Sequence, residues 1–122
     1  MKILLVDDER DILDSVKRGL EMKNFEVDAY DDPIDAMRNF RKGTYEMAIL
    51  DIKMPHMNGF QLYREILQID PEVKVRFLSA FEEYRDEFRR AFPDLDERRF
   101  IRKPTTILRL AEIIVDDLKV VG

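Results

Sequence analysis

Asp7, Asp8, Asp51, Ser79 and Lys103 are the residues of this chain whose types and spacing could do chemistry together. Each lies at the end of a short apolar run. Ile3-Leu4-Leu5-Val6 precedes the acid pair and Met47-Ala48-Ile49-Leu50 precedes Asp51. Val75-Arg76-Phe77-Leu78 precedes Ser79, and Phe100-Ile101 stands just ahead of Lys103. Carboxylates offer oxygen ligands to a hard divalent cation, and one of them can act as a nucleophile toward phosphorus. A hydroxyl and an ammonium can donate to phosphoryl oxygens. If the apolar runs are parallel strands, their C-terminal ends converge on one crevice, where open α/β sheets bind ligands. Such a set suits holding a divalent metal and a phosphoryl group on an aspartate.

The intervening segments must deliver those ends. Ile12, Leu13, Val16 and Leu20 recur at helical spacing and predict a helix from about residue 11 to 23. Phe25, Val27 and Ala29 alternate as in a second strand. Asp32-Pro33 predicts a capped helix start, with Ile34, Met37 and Phe40 on one face and Gly43 as its stop. Tyr45 to Leu50 reads as the third strand. The Pro- and Gly-containing loop from Lys53 to Gly59 follows, then a helix with Leu62, Ile66 and Ile69 inward, ending before Pro71. Val73 to Leu78 reads as the fourth strand. Tyr84, Phe88 and Phe92 predict a fourth helix, with Pro93 and Asp94 after it. Arg99 to Arg102 predicts a short, charged edge strand. Thr105 or Thr106 is expected to cap a last helix with Ile107, Leu110, Ile114 and Leu118 inward. Strands alternating with helices imply an α/β, doubly wound, five-stranded parallel sheet with five helices, flavodoxin-like, in the order 2-1-3-4-5. Residues 1–122 are expected to form one domain.

Bulk composition removes several function classes. Absence of cysteine excludes disulfides, thiolate metal sites and thiol nucleophiles, and a single histidine cannot build a multi-histidine centre. A net charge of -5 disfavours nucleic acid as the direct partner. No apolar stretch approaches membrane-spanning length, and no secretory signal is visible, so a cytoplasmic location is expected.

Four stretches carry a family likeness: Ile-Leu-Leu-Val-Asp-Asp-Glu at the start, Leu-Asp-Ile-Lys-Met-Pro-His-Met-Asn-Gly-Phe in the middle, Leu-Ser-Ala after the fourth strand and Lys-Pro after the fifth. In order and at matching spacing, they make the chain resemble the receiver domain of bacterial and archaeal two-component response regulators over essentially its whole length. The resemblance implies that Asp51 accepts a phosphoryl group from a histidine kinase or phosphotransfer protein. It implies that Asp8 binds Mg2+ directly, that Asp7 supports the metal largely through water, and that Lys103 and Ser79 contact phosphoryl oxygens. The backbone carbonyl of Lys53 would complete the metal shell. Ser79 and an aromatic at Phe100 would form the switch, and the fourth helix, fifth strand and fifth helix would form the output surface and a dimer contact. A downstream protein target or a further effector domain would read the state. Phe100 lacks a hydroxyl, so an inward state would rest on packing alone. The segment from Phe92 to Glu97 departs from the family pattern. Phe81, two residues beyond Ser79, is expected to slow acyl-phosphate hydrolysis.

Blander readings stand beside these. Asp7-Asp8 and Ser79 could cap helices, and Lys103 could be a solvated edge lysine. His56 reads as an exposed loop residue, the Tyr84-Phe88-Phe92 repeat as core, and Arg89-Arg90 and Arg98-Arg99 as solvated. Two other function classes compete: an aspartate-nucleophile phosphatase or phosphotransferase, and an unphosphorylated interaction module. Against the first, Asp7 is followed by Asp8-Glu9 running into a helix, without a cap domain. Against the second stands the intact acid set with Lys103. Without metal the clustered carboxylates should oppose one another's ionisation and raise at least one pKa. The domain is therefore expected to signal rather than turn over a separate substrate, with self-phosphorylation from small donors and self-dephosphorylation as its own chemistry.

Overall fold

Five strand segments, near-continuously apolar in the central β1 and β3 and mixed with charged residues in the edge strands β2 and β5, are separated by amphipathic helical ones and assemble into a parallel sheet of order β2-β1-β3-β4-β5. The computed structural model describes residues 2–79, 83–95, 99–103 and 106–118. The elements are β1 (Lys2–Val6), α1 (Arg10–Glu21), β2 (Glu26–Tyr30), α2 (Pro33–Asn39), β3 (Met47–Asp51), α3 (Gly59–Ile69), β4 (Lys74–Ser79), α4 (Glu83–Ala91), β5 (Phe100–Arg102) and α5 (Ile107–Leu118). The predicted fold class and strand order are both observed.

Alternation along each strand splits the core in two. Leu4, Val6, Ala48, Leu50, Val75 and Phe77 pack with residues of α2, α3 and α4. Ile3, Leu5, Met47, Ile49 and Leu78 pack with α1 and α5. Register places Val6 beside Leu50, Asp51 beside Leu78, and Ser79 beside Arg102. The strand ends carrying the polar residues are thereby aligned.

On the α3-α4 side, Phe77 is packed edge-on by Phe60 at 5.1 Å and Tyr63 at 5.5 Å, and Phe88 lies 5.6 Å away. Phe92 closes the group 5.1 Å from Tyr63. The aromatic repeat of the fourth helix is therefore core, as read.

Boundaries differ from expectation for local reasons. α1 ends at Glu21, and Asn24 takes a left-handed φ of 70° that turns the chain into β2. α2 stops at Asn39, not at Gly43: Phe40 is already extended, yet it remains buried. Gly43, at φ 79°, serves the next turn, where its N–H donates to Asp70 Oδ2 at 2.9 Å. The same buried Asp70 accepts from Glu72 N–H at 3.0 Å and so joins two turns at the lower end of the sheet. β3 begins at Met47, leaving Tyr45 in the approach. Its hydroxyl donates to Asp28 Oδ2 at 2.7 Å. Ile69, expected inward, is exposed at the end of α3. β5 is an edge strand, and Arg99 beside it donates to the Val75 carbonyl at 3.1 Å, covering a β4 acceptor that β5 is too short to reach. Thr106 supplies the cap of α5, accepting from Arg109 N–H at 3.1 Å. Leu110 and Ile114 face inward. Phe81, Asp96, Glu97, Arg98, Thr105 and the side chains of Ile107 and Leu118 lie outside the described residues, so the last two residues of the Phe92-to-Glu97 segment, where departure from the family pattern was expected, are among them.

Candidate phosphoryl and metal site

Asp7 follows β1 directly. Its N–H donates to the Tyr30 carbonyl at 3.1 Å, so backbone pairing continues just past the strand and holds the residue in place. Its Oδ1 accepts from Glu9 N–H at 2.9 Å, which fixes the carboxylate and helps start α1. Asp51 closes β3, and its Oδ1 accepts from the N–H of Ile52 at 2.9 Å. Lys103 follows β5, and its N–H donates to the Ser79 carbonyl at 2.7 Å, tying the lysine to the end of β4.

These ends meet. Asp7, Asp8 and Asp51 each present a carboxylate oxygen within 4.8 Å of the others. The Lys103 ammonium lies 2.8 Å from Asp7 Oδ2, 3.4 Å from Glu9 Oε1 and 3.6 Å from Asp51 Oδ1. Exposure separates the roles: Asp7 is 1% exposed, Asp51 5%, Ser79 1% and Lys103 9%, whereas Asp8 and Glu9 face solvent. The bland reading of Lys103 as a solvated edge lysine does not fit its burial.

Burial raises the Asp51 pKa to about 8, with the Asp7 charge adding to the rise and Lys103 partly offsetting it. The expected mutual opposition among the acids contributes to this rise at Asp51, second to burial. Lys103 feels the reverse balance: burial alone would lower its pKa, but the bond to Asp7 and the charges of Asp51, Asp7 and Glu9 outweigh it and raise the value. One atom remains poorly served. Asp7 Oδ2 is buried without an aligned hydrogen-bond donor, even though the ammonium is within ion-pair range. An under-satisfied buried carboxylate oxygen beside two further carboxylates is an oxygen-only donor set. It fits Mg2+, which takes oxygen ligands, better than any nitrogen- or sulfur-preferring metal.

Two site-shaping features escaped the sequence reading. Gly59 was read only as a loop signal. A Cβ there would lie 3.0 Å from both the Asp51 carbonyl carbon and Ile52 Cα and would run into the Asp51 carbonyl oxygen, so only glycine lets α3 start against this strand end. Gly59 N–H donates to the Ile52 carbonyl at 2.9 Å, and Asn58 with Gln61 forms a capping box. The Asn-x-x-Gln spacing was a readable signal for that cap. The second feature is Glu9, which contacts Lys103 across the site. Lys53 is exposed on the loop beyond Asp51. His56, also exposed, has φ 73° within a tight turn closed by Met57 N–H to the Pro55 carbonyl at 2.8 Å.

Phe100 is buried, 6.1 Å from Phe88. Packing is not its sole support, contrary to expectation: the Arg85 guanidinium sits 4.9 Å from its ring centroid, in cation–π range. An open groove of about 500 Å3 lined by Lys23, Phe25, Leu108, Ala111 and Val115 contains none of the acid-cluster residues. Among the described residues, no helix is long and apolar enough to cross a membrane.

Comparisons with known proteins agree with this geometry. VanRB, a regulatory protein of Enterococcus faecalis, is 32% identical over 104 residues, covering 85% of this chain and 46% of VanRB. CpdR, a response regulator receiver protein of Brucella abortus, is 30% identical over 80 residues, 66% of this chain and 67% of CpdR. The chain spans only about a third of another relative, the transcriptional regulatory protein PrrA of Mycobacterium leprae, at 37% identity over 79 residues. Among solved structures, the response regulator TrrA of Thermotoga maritima, in complex with Mg2+-BeF, superposes with a TM-score of 0.81 at 29% identity, covering 96% of this chain and 98% of that one. A CheY-like receiver domain of Methanospirillum hungatei gives 0.79 at 29%, covering 96% and 92%. The family model for the response regulator receiver domain matches residues 3–115, and the chain belongs to that family.

Proposed function

We propose that this receiver domain accepts a phosphoryl group on Asp51, in a Mg2+-dependent step, from the phosphohistidine of a sensor kinase or phosphotransfer protein. The observation that supports it most is the convergence of Lys103, Asp7 and Asp8 on a buried Asp51, whose carboxyl pKa is pushed up by burial and by the Asp7 charge. Such a carboxyl needs a compensating cation before it can attack phosphorus. Bound at Asp7, Asp8, Asp51 and the Lys53 carbonyl, Mg2+ would supply that charge and neutralise phosphoryl oxygens.

The chain's own groups divide the remaining work. Ile52 N–H holds Asp51 Oδ1, which leaves Oδ2 to form the new O–P bond while the P–N bond of the donor breaks and the imidazole departs. Lys103 leaves its position near Asp7 to meet a phosphoryl oxygen, as a compact charge suited to that role. Ser79, at the buried end of β4, offers its hydroxyl to another oxygen. Because Ser79 O accepts from Lys103 N–H, a pull on Ser79 is transmitted to the start of the β5-α5 connection. Phe100 and Arg85 lie on the same edge, so α4, β5 and α5 form the surface proposed to change and to contact a downstream target, an effector domain or a second copy.

The test is incubation with Mg2+ and acetyl phosphate followed by intact-mass measurement. One phosphoryl group per chain is expected, with none in Asp51→Asn or in EDTA. Turnover of small phosphomonoesters without a stable protein adduct would favour the phosphatase reading instead.

A further inference from the structure

Lys103 is not centred on Asp51. Of its carboxylate neighbours, Asp7 at 2.8 Å and Glu9 at 3.4 Å are nearer than Asp51 at 3.6 Å, so the ammonium is held toward the β1 side. Asp7 belongs to the buried cluster. Glu9 does not: its side chain is 58% exposed, at the mouth of the site. Glu9 also occupies the N-cap position of α1, where a short polar side chain would satisfy an open helix N–H, and it makes no such bond. The open N–H of Glu9 itself is taken by Asp7 Oδ1. Side-chain capping thus gives no reason for a glutamate here, and the favourable charge at a helix N-terminus would be met as well by aspartate. Its carboxylate instead reaches a lysine 94 residues away in sequence.

We propose that Glu9 is a positioning residue for Lys103 that sets which small phosphodonors the site accepts, by donor charge. It holds the ammonium off Asp51 and keeps a negative charge at the entrance, and both effects slow transfer from a dianionic donor more than from a monoanionic one. This rests on the reading of Asp51 as acceptor. With acetyl phosphate, an Asp51 carboxylate oxygen forms the O–P bond, the bond from phosphorus to the acetyl oxygen breaks, and acetate leaves with the electron pair. During that step Lys103 must release Glu9 to reach the phosphoryl oxygens. Removing the Glu9 charge removes both the tether and the repulsion.

The experiment compares wild type, Glu9→Gln, Glu9→Asp and Asp51→Asn with acetyl phosphate and with phosphoramidate, at saturating Mg2+ and at low and high salt. Glu9→Gln should react roughly three- to tenfold faster with acetyl phosphate at low salt, as expected for one like charge removed at close range in a solvated mouth. The gain should be smaller with monoanionic phosphoramidate and should shrink as salt screens the mouth. Glu9→Asp keeps the charge and should stay near wild type in donor preference. In metal-free protein, the Lys103 side-chain 15N resonance should move in Glu9→Gln. An unchanged acetyl phosphate rate in Glu9→Gln, or an equal gain with both donors at every salt concentration, overturns the proposal. Phosphorylation of Asp51→Asn at the wild-type rate would defeat the acceptor reading instead, so the two failures are distinguishable.

Discussion

Replacing Asp51 by asparagine should stabilise the metal-free domain, and by an amount that depends on pH. The Asp51 carboxyl rises from an ordinary value of 3.8 to about 8 in the fold, first through burial and then through the Asp7 charge. The folded value lies above the unfolded one, so between them the folded state holds the extra proton. The Asp51 contribution to stability is then fully present below about pH 4, is lost as pH rises toward 8, and levels off above it. At pH 7 the gap from 3.8 is just over three pH units. At about 1.4 kcal/mol per unit, the upper bound is roughly 4 kcal/mol. Protons are shared across the cluster and Lys103 can follow the charge, so about half of that, ~2 kcal/mol, is the expected gain of Asp51→Asn at pH 7. The assay is urea unfolding in EDTA from pH 5 to 9. Wild type should lose stability across that range relative to Asp51→Asn, and Mg2+ should restore wild type far more than the variant. A wild-type curve that rises from pH 5 to 8 alongside an equally stable or less stable Asp51→Asn would refute the reasoning.

Gly59→Ala should destabilise by about 1–3 kcal/mol through overpacking against the Asp51 backbone, and should slow phosphorylation as well, read by urea midpoint and phosphorylation rate together. Asp70→Ala strips two backbone N–H groups of their buried acceptor and should cost about 2–4 kcal/mol in chemical denaturation, with little change in phosphorylation rate. Arg85→Ala should cost up to about 1 kcal/mol when Phe100 is present and much less in a Phe100→Leu background. A double-mutant cycle with zero coupling would remove the cation–π contact from the account.

What the sequence made legible follows from how local each signal is. Period-two and period-3.6 apolar patterns, together with the Asp32-Pro33 start, gave the element order, because those patterns reflect which face of an element is buried. Asp7, Asp51, Ser79 and Lys103 were readable because each abuts an apolar strand. Contacts closed only by the fold were not. Nothing near Glu9 in the sequence signals Lys103, and Gly59 reveals its close approach to Asp51 only once α3 is docked. Phe40 and Gly43 misled on the end of α2 because a buried aromatic in extended conformation carries the same apolar signature as one more helical position. Asp70 and Arg76 are polar residues buried by tertiary context, which composition could not predict.

The most direct test of the central claim is chemical mapping of the acceptor. After reaction with Mg2+ and acetyl phosphate, borohydride reduction converts an aspartyl phosphate to homoserine, which tandem mass spectrometry can place. Homoserine at position 51 alone is predicted. Homoserine at position 7 or 8, or a phosphoryl group that resists reduction, would contradict the account.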